Sequence, residues 1–167
     1  MPVKKPSTLD KKVVSKLLER LKDEYDAMYF YTAVANWCQG KGYEAAAGFF
    51  KKEAESEHEH ARKVEKYLTD WNVFFELPSI EQPDKEYKSL VDVIEQAYDI
   101  EYALYEAYEE TSKEMFSIDL CVFDFLTPLR LGQNESVIEY SDMLNELETI
   151  GADSSFAIYY WQQEKFK

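Results

Sequence analysis

The chain has 167 residues, 46% of them hydrophobic and 16% aromatic, which is long and apolar enough to bury the core of one domain. Its 33 acidic residues outnumber its 19 basic residues, and the formal charge of −14 disfavours nucleic acid and anionic membranes and favours cations as partners. Cys38 and Cys121 form no C-x-x-C motif, so neither a disulfide framework nor a thiolate zinc site is indicated.

The start of the chain, "MPVKKPSTLD", has no apolar run typical of a signal peptide, and no later stretch is long enough to cross a membrane. We therefore expect a cytoplasmic protein in a reducing compartment, with no membrane partner.

Four segments between the glycines and prolines are rich in Ala, Leu, Glu and Lys, which favour helix. The first helix is predicted to begin at Ser7 or Thr8, with Asp10 as the capping-box partner of Ser7. Ser89 is predicted to cap the third helix, and Gly151 to stop the fourth in a left-handed conformation. The four predicted helices span about 7–40, 43–71, 89–115 and 117–150.

The segment between the second and third helices, residues 73–88, contains Pro78 and Pro83 and shows no helical period, so it predicts a long crossover connection. Each main helix is about 40 Å or longer at roughly 1.5 Å per residue, which favours lateral packing. The predicted fold is all-α, an antiparallel four-helix bundle over residues 10–151. Residues 1–9 form an N-terminal extension, and residues 152–167 a short C-terminal helix or tail.

Each predicted helix carries a largely apolar row at alternating steps of three and four residues, and each row contains one carboxylate or amide side chain near its middle. These four polar members are Glu24, Glu57, Glu101 and Gln133. The rows are Val14, Leu17, Leu21, Glu24, Met28, Tyr31, Ala35 and Cys38; Phe50, Ala54, Glu57, Ala61, Val64 and Leu68; Leu90, Ile94, Ala97, Glu101, Leu104, Tyr108, Thr111 and Met115; and Val122, Leu126, Leu129, Gln133, Ser136, Tyr140, Met143 and Leu147.

The stretch "EAESEHEHARK" holds both histidines of the chain and contains Glu-x-x-His twice. Glu55 and His58 fall off the row of the second helix, whereas Glu57 lies on it and His60 beside it. A Glu-x-x-His pair on an acidic helix usually lies on a solvent-exposed face. Only the second pair can face the core, so only Glu57 and His60 are candidate metal ligands.

Three core carboxylates, Glu24, Glu57 and Glu101, are costly to bury unless they are paired or bind a metal, and the rows contain no Lys or Arg. Together with His60 they predict a di-metal site whose oxygen and imidazole donors suit iron or manganese and tolerate zinc. The alternative is a metal-free bundle that retains the ligands. Tyr31 on the first row is more often plain core, although a buried hydroxyl needs a partner such as a metal-bound carboxylate or water.

These features resemble the ferritin family over about residues 14–151, in the stretches "LKDEYDAMYFYTAVANWC", "GFFKKEAESEHEHARKVEKYLTD", "DIEYALYEAYEE" and "FLTPLRLGQNES". The resemblance implies that Glu24, Glu57 and His60 hold the first iron, while Glu57 bridges to a second completed by Glu101. It also places Gln133 near the second iron and Tyr31 beside the centre.

The implied activity is ferroxidase: oxidation of Fe(II) by O2 or H2O2 at an intrasubunit di-iron centre, with storage of the ferric mineral in a hollow homo-oligomeric shell of 24 subunits. Bacterioferritins and rubrerythrins carry a second Glu-x-x-His on the last helix, where this chain has Gln133 and Ser136. Haem-binding members would have a methionine at His58. The resemblance is therefore to the non-haem branch, and no haem is expected.

Two departures from the family pattern bear on the iron positions. Bacterial members often keep a third iron site, whose glutamates would fall at Ser56, Gly132, Glu135 and Ser136, and only Glu135 is acidic. Pro128 and Gly132 are expected to interrupt the fourth helix near the second iron. Two other functions remain open: a di-iron oxidase acting on an organic substrate, and a catalytically silent shell subunit.

Overall fold

The computed structural model describes residues 9–151 and 154–167, and within these ranges the chain forms five α-helices and no β-strand. The helices are α1 (Lys11–Lys41), α2 (Glu44–Asp70), α3 (Leu90–Ile118), α4 (Leu120–Ile150) and α5 (Ser155–Lys165). The first four form the predicted bundle, and α5 is the predicted short C-terminal helix. Among the described residues, no helix is both long enough and apolar enough to cross a membrane.

A short connection makes α1 and α2 antiparallel neighbours, and a second one does the same for α3 and α4. Gly42 joins α1 to α2 with φ of 85° and ψ of 13°, the left-handed region that favours glycine. The long connection between α2 and α3 has no regular secondary structure, and it is anchored by Tyr87, whose ring packs edge-on against Phe30 and Trp37. This connection lets α3 return beside α1, so the middles of all four helices meet in one core.

The caps explain where the helices begin. The side chain of Asp10 accepts a hydrogen bond from the Lys12 N–H at 2.7 Å and caps α1 itself, while the predicted start at Ser7 or Thr8 lies outside the described residues. Ser89 caps α3 as predicted, since its Oγ accepts from the Asp92 N–H at 3.1 Å.

The predicted boundary between the third and fourth helices is wrong by a few residues. Helix α3 continues to Ile118, and α4 begins at Leu120 rather than near Ser117. Asp119 decides the boundary because its extended backbone, with φ of −153°, breaks the helix while its carboxylate accepts from the N–H groups of Cys121 and Val122.

The expected interruption of α4 is also wrong, because the helix is continuous through Pro128 and Gly132. Pro128 removes only one backbone hydrogen-bond donor from the helix. The helix continues because Leu126 and Leu129, on either side of the proline, are buried and hold the flanking turns against the core. Gly151 has the predicted positive φ, 82°, but its ψ of 102° lies outside the left-handed helical region.

The predicted apolar rows are the buried faces of the bundle. Every member of the α3 row is buried. The members of the other rows that are only partly buried are Val14, Met28, Ala54 and Ser136. The four polar members are all buried, with relative exposures of 0% for Glu24 and Glu101, 3% for Glu57 and 2% for Gln133. The bundle therefore places three carboxylates and one amide at the level of its middle.

Candidate metal centre

Two neighbouring helices, α1 and α2, bring together Glu24, Glu57 and His60. His60 Nδ1 lies 3.1 Å from Glu57 Oε2 and 3.4 Å from Glu24 Oε2. One ligand atom from each of the three residues lies within 4.8 Å of the other two, close enough for all three to bind one ion. The spacing of Glu57 and His60, three residues apart, places both on the same face of α2.

Two tyrosines cross between α1 and α3 and orient the carboxylates of the opposite helix. Tyr31 of α1 donates its hydroxyl hydrogen bond to Glu101 of α3, and Tyr108 of α3 donates to Glu24 of α1. On α4, the Gln133 amide nitrogen donates to the other oxygen of Glu101. Each carboxylate oxygen has two lone pairs, so these hydrogen bonds fix the carboxylates and leave acceptor capacity for a cation.

The pKa values show that the centre carries more negative charge than it can hold in a buried site. Burial raises the pKa of Glu101 to about 7 and that of Glu57 well above its ordinary value. Burial alone would lower the pKa of His60, but hydrogen bonds to Glu24 and Glu57 raise it to about 10. Burial alone would raise the pKa of Glu24, but hydrogen bonds with His60 and Glu57 lower it. Without a cation, protons on Glu57, Glu101 and His60 therefore offset the negative charge of the centre.

The donor set fits a hard or borderline cation. Glu24 Oε2 is buried and lies 3.4 Å from His60 Nδ1, and the nearby ligand atoms are carboxylate oxygens and an imidazole nitrogen with no thiolate. A divalent ion at Glu24, Glu57 and His60 would supply the positive charge that these groups otherwise take from protons.

The predicted rows contain no Lys or Arg, and Arg20 lies outside them on α1. Arg20 is buried, but its guanidinium binds Asp23 at 2.7 Å, the Thr111 hydroxyl at 2.6 Å and the Ala107 carbonyl at 3.0 Å. Those partners hold the guanidinium one turn away from Glu24, so the central carboxylates still lack a matching cation.

A fourth acidic side chain, Glu53, lies beside the centre although it is outside the predicted row of α2. Tyr140 of α4 is fully buried and donates to Glu53 Oε2 at 3.2 Å. Burial, together with the negative charge of Glu139, raises the pKa of Glu53 to about 7. The Glu53 charge in turn contributes to the raised pKa of Glu101.

The structure brings all six predicted site residues into one region of the core and keeps the rejected Glu-x-x-His pair out of it. Glu55 is exposed and binds Arg62, and His58 packs against the Tyr25 ring. Tyr108 and Tyr140 were predicted only as core residues. Their positions in the apolar rows could have indicated a role, since Tyr108 follows Glu101 by seven residues and Tyr140 follows Gln133 by seven. A buried tyrosine hydroxyl needs a hydrogen-bond partner.

A family model described as a ferritin-like domain matches residues 14–150 of the chain. The chain belongs to the ferritin family. A probable bacterial non-heme ferritin-like protein of Haemophilus influenzae is 31% identical over 146 residues, covering 87% of this chain and 88% of that protein. A bacterial non-heme ferritin of Campylobacter jejuni is 28% identical over 144 residues, 86% of each chain.

Solved ferritin structures share the fold. An open-pore ferritin from the hyperthermophilic archaeon Archaeoglobus fulgidus superposes with a TM-score of 0.88 at 20% identity, covering 95% of this chain and 96% of that one. A humanized archaeal ferritin gives the same TM-score at 21% identity, covering 94% and 95%. At these identities the likeness establishes the five-helix architecture.

We predict that Glu53→Gln makes the stability of the metal-free protein less dependent on pH. The folded-state pKa of Glu53, about 7, lies above its ordinary value of 4.5, so the folded protein binds this proton more tightly than the unfolded chain. The resulting stability is complete below about pH 4.5 and is lost as the pH rises through about 7. The melting temperature of Glu53→Gln should therefore rise relative to wild type between about pH 5 and pH 8.

Thermal unfolding followed by circular dichroism at several pH values measures this difference. Glu55→Gln is the matched control, because Glu55 is exposed, and it should follow the wild type. A difference between Glu53→Gln and wild type that stays constant over this range would contradict the raised pKa.

Proposed function

We propose that the protein is a ferroxidase and iron-storage subunit that oxidises Fe(II) with O2 or H2O2 at a di-iron centre built inside its own four-helix bundle. The convergence of Glu24, Glu57 and His60 at metal-binding distance, with Glu101 beside them in a core short of cations, carries this proposal. The family membership and the bacterial non-heme ferritin relatives support it.

In this proposal Glu24, Glu57 and His60 bind the first Fe(II), and Glu57 bridges to a second bound by Glu101 with Gln133 nearby. Fe(II) is the substrate, and two Fe(II) ions supply the two electrons that reduce O2 to hydrogen peroxide. The carboxylates release their protons as iron binds, and the hydrogen bonds from Tyr31 and Tyr108 keep Glu101 and Glu24 in position.

Two other functions fit the same fold less well. An oxidase of organic substrates needs a pocket at the centre. Five pockets of the chain lie away from it, between α1 and the connection, on the outer face of α3, in the groove between α1 and α3, and between α2 and α5. A silent shell subunit would not need four central polar side chains, each costly to bury.

We predict that Glu57→Ala abolishes rapid iron oxidation, because it removes the proposed bridge between the two irons. Glu55→Ala and His58→Ala are controls on the same helix and should oxidise Fe(II) at the wild-type rate, because neither side chain faces the centre. Stopped-flow absorbance after mixing Fe(II)-loaded protein with oxygen measures the rate. Equal loss in all three variants would disprove the assignment.

The fast phase should saturate near two Fe(II) per subunit. Of the four positions at which bacterial relatives were expected to place ligands for a third iron, Ser56, Gly132 and Ser136 lack a carboxylate, and the side chain of Glu135 is exposed. Glu53 is already hydrogen-bonded by Tyr140. Anaerobic titration with Fe(II) followed by mixing with oxygen gives the stoichiometry, and a break at three per subunit would contradict it.

The storage role requires a closed shell, and we propose a 24-mer in which the bundle spans residues 10–151 and α5 belongs to the C-terminal segment 152–167. Twenty-four chains of 19.7 kDa give a mass of about 470 kDa. Exposed apolar side chains on the connection, on α4 and on α5, among them Phe74, Ile138 and Phe156, supply apolar surface for subunit contacts. Light scattering that shows only monomers or dimers would count against storage.

A further inference from the structure

Tyr108 is a buried tyrosine of α3 whose hydroxyl reaches across the bundle to Glu24 of α1. The side chain has 0% relative exposure, and its hydroxyl donates to Glu24 Oε1. The other oxygen, Glu24 Oε2, lies 3.4 Å from His60 Nδ1 on α2. The two oxygens of this carboxylate therefore face different helices, Oε1 towards α3 and Oε2 towards the proposed ligands on α2.

Arg20 of α1 holds the turn of α3 that carries Tyr108. Its buried guanidinium donates to the Ala107 carbonyl at 3.0 Å and to the Thr111 hydroxyl at 2.6 Å, and Asp23 binds the same guanidinium at 2.7 Å. Ala107 directly precedes Tyr108 and Thr111 follows it by three residues, so the two bonds bracket the tyrosine along α3. Any shift of this turn would break hydrogen bonds to a buried charge, which is costly.

The hydrogen bonds engage the two central carboxylates of α1 and α3 differently. Both Glu101 oxygens accept a hydrogen bond, one from Tyr31 and the other from Gln133. Glu24 accepts one from Tyr108 at Oε1 and keeps Oε2 on the side of α2. A hydrogen bond from a phenol to an ionised carboxylate is charge-assisted and strong. Glu24 therefore offers a metal ion one oxygen, because turning the carboxylate to offer both would break the bond from Tyr108.

The number of oxygens that a carboxylate gives to an ion decides how many positions on the ion stay open. Carboxylates bind metal ions through one oxygen or through both. With one atom each from Glu24, Glu57 and His60, an Fe(II) ion keeps positions open for water or an oxidant. A second oxygen from Glu24 would close one of these positions.

We propose that Tyr108, held in place by Arg20, is a positioning residue that restricts Glu24 to binding the first Fe(II) through Oε2 alone. The inference rests on the proposed ferroxidase function, in which Glu24, Glu57 and His60 bind that ion. Tyr108 touches neither the iron nor the oxidant and acts only through Glu24. Without its hydroxyl, Glu24 turns and binds with both oxygens. The iron is then bound at least as tightly but reacts more slowly, because a position for the oxidant is closed.

Anaerobic binding of Co(II) tests this role, because the visible absorption bands of Co(II) weaken as the number of its ligands rises. One equivalent per subunit is added to wild type, Tyr108→Phe and Arg20→Lys, and the spectrum and the dissociation constant are measured. Tyr87→Phe is the matched control, since it removes a buried tyrosine hydroxyl that donates to the Asp84 carbonyl outside the centre. Glu57→Ala, which removes a proposed ligand, identifies the bands that arise from the centre.

We expect Tyr108→Phe to give weaker Co(II) bands than wild type and Tyr87→Phe, with a dissociation constant that is no larger. Arg20→Lys should change the spectrum in the same direction, because a lysine ammonium cannot hold the three partners of the guanidinium at once. In stopped-flow measurements at saturating Fe(II), Tyr108→Phe should oxidise iron roughly tenfold more slowly than wild type.

A Co(II) spectrum shared by Tyr108→Phe and wild type would overturn the positioning role. So would weaker Co(II) binding by Tyr108→Phe with a normal oxidation rate at saturating Fe(II), which is the result expected of a merely structural residue. A wild-type spectrum in Arg20→Lys would overturn the part assigned to Arg20. Wild type that binds no Co(II) at the centre and oxidises Fe(II) no faster than buffer would overturn the ferroxidase proposal itself.

Discussion

The constraint on which the rest of the structure depends is the burial of several carboxylates with too little positive charge to balance them. Glu24, Glu57 and Glu101 lie in the middle of the bundle, and His60 is the cationic group that reaches them. Burial raises the pKa values of Glu57 and Glu101, and hydrogen bonds to Glu24 and Glu57 raise that of His60, so these groups bind protons when no metal is present. Such a core favours the binding of a divalent cation, because the charge of the cation replaces that of the protons and its carboxylate ligands are already buried.

The surrounding helices hold this unfavourable charge in place. Hydrogen bonds cross reciprocally between α1 and α3, from Tyr31 to Glu101 and from Tyr108 to Glu24, and they fix the antiparallel register of the two helices. Arg20 reinforces that register by bonding to Thr111 and the Ala107 carbonyl. The same side chains that orient the carboxylates therefore also tie the bundle together, so the stability of the fold and the geometry of the centre are coupled.

The aromatic side chains near the centre serve both packing and chemistry. Tyr31 fills the core between Phe50 and Tyr140 while its hydroxyl reaches a proposed iron ligand, and Tyr140 fills the space between α2 and α4 while its hydroxyl reaches Glu53. The phenols add hydrogen-bond donors that orient Glu101 and Glu53.

The sequence by itself determined the helical class, the four apolar rows and the choice of Glu57 and His60 over Glu55 and His58, because helical periodicity fixes which side chains share a face. It could not give the boundary at Asp119 or the continuity of α4 through Pro128, since a capping side chain and packing on both sides of the proline outweighed local propensity. Only the tertiary structure decided that the Arg20 guanidinium binds Thr111 rather than the central carboxylates. It also decided that Glu53 lies beside those carboxylates and that Tyr140 stacks on Tyr31. Those contacts join different helices, and the periodicity of one helix carries no information about the depth and rotation at which another packs against it.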